Sequence, residues 1–217
     1  MIRFLDINKQ DKKIRNKIYL DVKKIINKNN FILGEHVLKF EKKFSKFCGS
    51  KYGIGCANGT DALTIALKSL NLKNGSEVII PAMTYCSTAF AVINAGLKPV
   101  LIDIDYLSPT MNLEKLKNRI NKKTKVIMPV HLYGSVVDIE KIKKIVGKKK
   151  IYIIDDCAQA HGAKLRKKKS WMGRWGCSIC FRAFCICRIP CRLHISCTMQ
   201  KMRRFGMEIL NAKKRTK

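Results

Sequence analysis

The chain has 217 residues, 47% of them hydrophobic, and a formal net charge of +30. That length supports one substantial core, and the apolar fraction excludes a wholly disordered chain. The charge invites a nucleic-acid reading, but its distribution argues against one. Through Asp156 there are 29 Lys/Arg and 14 Asp/Glu, giving +15; the remaining 61 residues hold 16 Lys/Arg and only Glu208, again +15. Lys12, Lys13, Lys17, Lys23, Lys24 and Lys28 alternate with apolar positions and lack interleaved aromatics, which describes a solvated helix face rather than a base-stacking platform.

In chain order, Asp6 interrupts the apolar run at the N-terminus, so no signal peptide is expected. Cys48, Cys56, Cys86 and Cys157 stand singly, as in a reducing compartment, and the expected location is cytoplasmic. Ile14, Ile18, Val22 and Ile25 recur at helical spacing, and a second helix is predicted from Glu35, with Val37, Phe40, Phe44 and Phe47 on its apolar face. Tyr52–Cys56 reads as a short strand and Thr60–Leu70 as a helix. The twenty uncharged residues Val78–Leu97 match the length of a membrane span. Pro81, Thr84, Asn94 and Gly96 divide them instead into a strand, a turn and a helix over Ser87–Asn94. Further strands are predicted at Pro99–Ile104, Lys125–Val130 and Ile151–Ile154, with helices at Leu113–Ile120 and after an Asp138 N-cap ended by Gly147. Strands alternating with helices of about ten residues predict βαβ units around a mostly parallel sheet, an α/β fold. Ligands of such sheets gather beyond the carboxyl ends of the strands.

Two islands fall at those ends. In Asn58-Gly59-Thr60-Asp61, a loop opens a helix, so first-turn N–H groups and the Thr60 hydroxyl suit a phosphate. The blander reading is Thr60 as an N-cap with Asp61 in the first turn. In Ile154-Asp155-Asp156-Cys157-Ala158-Gln159-Ala160-His161, four apolar residues carry Asp156 to the sheet edge. There it serves as a helix cap, as a metal ligand, or as the partner of a protonated pyridine nitrogen, with Gln159 beside a ring oxygen. Tyr85, after another strand, is placed to stack on such a ring. His131 and His161 read as structural, and two isolated histidines give no metal-ligand spacing, so no metal is expected.

Six motifs then occur in order: Phe31-Ile32-Leu33-Gly34 with Phe40-Glu41; Asn58-Gly59-Thr60-Asp61-Ala62-Leu63; Val78-Ile79-Ile80-Pro81 with Thr84-Tyr85; Ala95-Gly96 with Pro99-Val100; Pro129-Val130-His131-Leu132-Tyr133-Gly134; and Asp155-Asp156-Cys157-Ala158-Gln159-Ala160-His161-Gly162-Ala163. Over residues 1 to about 165 the chain resembles the DegT/DnrJ/EryC1/StrS family of pyridoxal-phosphate-dependent sugar aminotransferases. The resemblance implies the large domain of a fold-type-I transferase, here incomplete, over residues 1–166. It implies pyridoxal 5'-phosphate as cofactor, with Gly59, Thr60 and Asp61 at its phosphate, Tyr85 on the ring, Asp156 at the pyridine nitrogen and Gln159 at the ring oxygen. It also implies a homodimer that moves an amino group from glutamate or glutamine to a nucleotide-linked keto-sugar, in polysaccharide, lipopolysaccharide or amino-sugar biosynthesis.

The family places its Schiff-base lysine roughly 25 to 30 residues beyond the aspartate; the residues there are Phe181-Arg182-Ala183-Phe184-Cys185-Ile186, with no lysine and no histidine. From Lys167 to Lys217 no clean strand or helix period is visible before Met202–Leu210, and six of the ten cysteines crowd into Cys177–Cys197. The expectation is a tail read out of frame from the lysine run Lys167–Lys169, leaving the chain without transaminase activity. A metal module built on Cys177-x-x-Cys180 is the weaker alternative, since no second such pair follows. Two further functional classes remain: a non-catalytic cofactor or sugar-nucleotide binder built from half the fold, and a basic nucleic-acid-binding protein using the tail.

Overall fold

In a computed structural model, the structure describes residues 12–32, 34–50, 52–165, 168–169, 176–179 and 184–187, the last three stretches by their backbone alone. By its contacts the chain divides into two compact units, Met1–Phe40 and Glu41–Lys217. In the first unit lies helix α1 (Lys12–Asn27), predicted from its apolar spacing; Ile14, Ile18 and Val22 on it nevertheless stay exposed. Helix α2 (Glu35–Cys48) begins where expected, but its buried positions are Glu41, Ser45 and Cys48 rather than the phenylalanines. Phe40 and Phe47 remain more than 40% exposed. The reason is polar: one Glu41 carboxylate oxygen accepts the backbone N–H of Gly55 at 2.8 Å, and drawing that group inward turns the helix away from the aromatic stripe.

The second unit continues with β1 (Tyr52–Gly55), α3 (Gly59–Lys68), β2 (Glu77–Pro81), α4 (Ser87–Asn94), β3 (Lys98–Ile102), β4 (Ile104–Asp105), β5 (Ser108–Met111), α5 (Leu113–Arg119), β6 (Thr124–Ile127), α6 (Ile139–Val146), β7 (Tyr152–Asp156), β8 (Lys164–Leu165), β9 (Lys168–Lys169), β10 (Gly176–Ile179) and β11 (Phe184–Cys187). Seven strands form one sheet in the order β1-β11-β10-β7-β6-β2-β3. The pairs β10/β7, β7/β6, β6/β2 and β2/β3 are parallel, and β11 runs antiparallel to both of its neighbours. The mostly parallel α/β architecture is thus the predicted one. Strands β10 and β11 fall where no period was legible; backbone pairing beside β7 and β1 places them, and a pairing slot needs no apolar alternation. The Cys177–Cys197 cluster itself, as a set of side chains, lies outside the described residues.

Alternation along the central strands fills two cores. Val78, Ile80, Val126, Met128 and Ile154 pack under α3 and α4, while Ile79, Ile127 and Ile153 face α5 and α6. A strand buried on both faces reads as a continuous apolar run, which is why these segments were legible in the sequence. Val78–Leu97 resolves into β2 and α4, and among the described residues no helix is long and apolar enough to cross a membrane. As predicted, Asp138 caps α6, accepting Lys141 N–H at 3.1 Å, and Gly147 ends it at φ +58°, a conformation costly for other residues.

His131 fixes the loop after β6. The ring is completely buried, and its Nδ1 accepts the Val137 N–H at 3.0 Å, so the neutral tautomer carries its proton on Nε2. Burial holds its pKa down, to about 4. Between pH 6.5 and 4 the unfolded chain takes up a proton that the fold refuses, so this group lowers stability as pH falls through that window. At about 1.36 kcal/mol per pH unit, the loss reaches roughly 3 kcal/mol near pH 4. His131→Asn, which keeps an acceptor for Val137, is expected to flatten the decline in urea midpoint between pH 6.5 and 4; an unchanged decline would contradict this role.

Candidate functional site

Parallel strand order brings the carboxyl ends of β2, β6 and β7 beside the start of α3. A cleft of about 630 Å³ opens there, lined by Asn58, Gly59, Thr60, Leu63, Thr84, Tyr85, Ser87, Thr88, Val130, Leu132, Asp156, Ala158 and Gln159. The ladder runs past the formal strand ends to shape its floor: Asp156 N–H donates to the Pro129 carbonyl at 2.9 Å, and His131 N–H to the Asp156 carbonyl at 3.0 Å.

At one end of the cleft, Asn58 rather than Thr60 is the N-cap of α3, with extended backbone and a side-chain oxygen that accepts Asp61 N–H at 2.8 Å. Thr60 is thereby left to face the cleft, where its hydroxyl donates to Ser87 Oγ at 2.8 Å across from the first turn of α4. Two helix N-termini and two hydroxyls converge at this point, an arrangement suited to a dianion. Asp61 is not brought to the cleft. Its carboxylate is exposed and accepts the Asn58 amide at 2.8 Å, and a carboxylate at a phosphate would also meet like charge.

At the other end lies Asp156, 8% exposed at the tip of β7. Burial pushes its carboxyl pKa up; the Ala158 N–H, 3.1 Å from Oδ1, and the Thr88 hydroxyl act in the opposite direction. Gln159 Oε1 accepts the Tyr133 N–H at 2.9 Å. Because a backbone N–H only donates, this bond orients the amide and leaves its NH₂ group as the donor available toward a ligand. Tyr133 itself sits at φ +54°, a left-handed geometry that costs a non-glycine residue about 1–2 kcal/mol, and Gly134 follows at φ +84°. Tyr85 lines the cleft with 70% of its surface exposed, so its ring is an open wall.

The structure thus gathers Gly59, Thr60, Tyr85, Asp156 and Gln159 in one cleft and leaves Asp61 out. Sequence reading placed Thr84 in a motif without giving it a role, and missed Ser87 and Thr88. These are small polar residues in an uncharged stretch, and the only available signal was their position just past a strand end.

Residues 12–182 match the model of the DegT/DnrJ/EryC1/StrS aminotransferase family. The match runs through the lysine run Lys167–Lys169 and well beyond residue 166. The chain is 39% identical over 169 residues to a dTDP-3-amino-3,6-dideoxy-alpha-D-galactopyranose transaminase of Aneurinibacillus thermoaerophilus, covering 78% of this chain and 47% of that protein. It is 40% identical over 170 residues to a UDP-2-acetamido-2-deoxy-3-oxo-D-glucuronate aminotransferase of Pseudomonas aeruginosa, with the same coverage of 78% and 47%. Among solved structures, S. venezuelae DesV superposes with a TM-score of 0.79 at 26% identity, over 87% of this chain and 54% of that one. An E. coli GDP-4-keto-6-deoxy-D-mannose-3-dehydratase with bound hydrated PLP gives a TM-score of 0.72 at 26% identity, over 79% of this chain and 48% of that one. The chain spans about half the length of the curated relatives it matches. Family members depend on pyridoxal 5'-phosphate, and their fold is the fold-type-I transferase fold found here. On the strength of a match over residues 12–182, the chain belongs to the DegT/DnrJ/EryC1/StrS aminotransferase family.

Proposed function

We propose that this chain is the cofactor-holding part of a pyridoxal-phosphate-dependent aminotransferase for a nucleotide-linked keto-sugar, and that as written it binds the cofactor reversibly without transferring an amino group. The observation carrying the first half is the cleft itself, where a buried carboxylate and an oriented amide donor stand opposite paired hydroxyls at two helix N-termini. That donor set fits a phosphorylated pyridine. Gly59, Thr60 and Ser87 would hold the phosphate, Tyr85 would cover a ring face, Gln159 would donate to the ring oxygen, and Asp156 would accept a hydrogen bond from the protonated ring nitrogen. When bound, the cofactor supplies an electron-poor ring that draws charge from a carbon attached to its nitrogen substituent. Asp156 keeps that ring protonated only while its own carboxyl is ionised, which the Ala158 N–H and Thr88 hydroxyl favour.

The second half rests on lysine. Residues 181–186 contain none, and among the described residues lining the cleft there is none. We further infer that the chain leaves the family's course beyond residue 182 rather than at Lys167, because the family match and the parallel pairing of β10 with β7 both continue past the lysine run. Relatives named for dTDP- and UDP-linked sugars support the substrate class. Glutamate or glutamine as donor and a homodimer with shared sites complete the reading for the whole enzyme. A cytoplasmic setting is supported by the single, scattered placing of Cys48, Cys56, Cys86 and Cys157 in the sequence.

Titrating the chain with pyridoxal 5'-phosphate, followed by borohydride reduction and peptide mass spectrometry, tests both halves. The expected result is saturable quenching of protein fluorescence, reversed by dialysis, with only scattered substoichiometric lysine adducts. One lysine modified stoichiometrically would show that the chain supplies its own catalytic amine, and no saturable binding would remove the cofactor reading.

A further inference from the structure

The amino edge of the sheet, at the other end of the strands that carry the cofactor cleft, holds a second concavity of different character. Parallel pairing of β6 with β7 sets the loops ahead of the two strands side by side. A cleft of about 380 Å³ opens there, lined by Lys122 and Lys125 at the start of β6, Lys149 and Lys150 ahead of β7, and the apolar Ile120 and Ile151. No carboxylate is among its lining residues, and none of the four lysines has an acidic partner among the described residues. A neighbouring cleft of about 530 Å³, at the same edge of β2 and β3, shares Asn121 with the first and adds Lys98 and Arg119. Its one acid, Glu77, is 9% exposed and already accepts the Asn121 amide at 2.8 Å. Hydrogen bonds fix the backbone that mounts these cations. Asn121 Oδ1 accepts the Lys123 N–H at 2.7 Å, Thr124 Oγ1 accepts the Asn121 N–H at 3.1 Å, and Lys125 Nζ donates to the Lys122 carbonyl at 3.1 Å. In the other loop the Ile151 N–H donates to the Lys149 carbonyl at 2.9 Å.

Like charges gathered in a concave site repel one another, and a cleft lined by one sign of charge focuses the field it presents to a ligand. Lysines on the helices behave differently: Lys24 and Lys39 stand beside Asp21 and Glu35 about one turn away. We propose that the amino edge is a binding site for a chain of linked phosphates, held by Lys122, Lys125, Lys149 and Lys150, with Lys98 and Arg119 extending the track. Ammonium groups bind phosphate as mobile point charges, so a row of them suits an extended anion better than one rigidly shaped group. The edge spans β7, β6, β2 and β3, which at about 4.8 Å between neighbouring strands is roughly 14 Å, room for several charges in line. Single-stranded nucleic acid is the poorer fit, since no aromatic residue lines either cleft for a base to stack on. Inorganic polyphosphate and a nucleoside triphosphate share the required chemistry. The inference is independent of the cofactor reading, because none of these residues lines the cofactor cleft.

The test titrates the full chain with sodium tripolyphosphate by calorimetry and maps the site by protection of lysines from acetylation, read by mass spectrometry. A double variant, Lys122→Gln with Lys149→Gln, is compared with Lys17→Gln plus Lys23→Gln, which removes the same two charges from α1. Saturable binding is expected, with Lys122, Lys125, Lys149 and Lys150 the most protected. Affinity should fall about tenfold or more in the first variant, through lost hydrogen bonds to charged groups, and less than about twofold in the second. Adenosine triphosphate, run in parallel, separates the two sources: tighter binding than tripolyphosphate assigns the site to a nucleotide, equal or weaker binding to inorganic polyphosphate. The proposal is overturned by absence of saturable binding, by equal losses in the two variants, or by protection spread evenly over the lysines. Inorganic phosphate binding as tightly as tripolyphosphate, or a single-stranded oligonucleotide held more tightly by the same lysines, would overturn it as well.

Discussion

A carboxylate held at the buried end of a parallel strand is the constraint around which this site is organised. Ionised Asp156 belongs in water, yet Ile153 and Ile154 of β7 sit in the two cores and carry it to a position 8% exposed. The fold can keep such a group charged only by supplying donors. It does so from two directions: the Ala158 N–H on the same loop and the Thr88 hydroxyl on α4. The cleft requires β2, β6 and β7 to lie side by side and parallel. The cleft follows from that order, because all three strands end on the same edge of the sheet.

Electrostatics then sort the cleft into two ends. The α3 and α4 termini present N–H groups and the hydroxyls of Thr60 and Ser87, favourable to negative charge, whereas Asp156 favours a cation. A ligand bearing both charges is oriented by that asymmetry before any specific chemistry. Gln159 ties the Tyr133–Gly134 turn to the same edge, so an amide that faces the cleft also restrains a left-handed backbone next to it. His131, buried and neutral behind the turn, holds the next stretch through Val137.

Much of this was legible because the central strands are buried on both faces: Val78-Ile79-Ile80 and Ile153-Ile154 announce themselves, and the polar residues just after them announce the site. Asp138 and Gly147 mark α6 by local chemistry alone. What escaped was set by tertiary partners. Ser87 and Thr88 look like ordinary helix-start residues until Thr60 and Asp156 arrive from elsewhere in the chain. The buried face of α2 follows Glu41 because Gly55 N–H awaits it, a contact invisible to a count of phenylalanines. Asp61 sat in the right motif but is engaged by Asn58, three residues away. Strands β10 and β11 were hidden because the neighbouring backbone of β7 and β1 selects them, and an irregular sequence carries no period to reveal that.

The central claim is that the fold tolerates a buried carboxylate at Asp156 for the sake of a cationic ligand, and a melting experiment on Asp156→Asn addresses it directly. Because burial raises this carboxyl's pKa, holding it ionised costs the fold stability, and that cost shrinks as pH falls through the raised value. The asparagine variant, uncharged at every pH, should therefore melt at a higher temperature than the parent at pH 7.5 without cofactor, and should lose the stabilisation that pyridoxal 5'-phosphate gives the parent. A variant that melts lower than the parent, or that gains as much from the cofactor, would contradict the account.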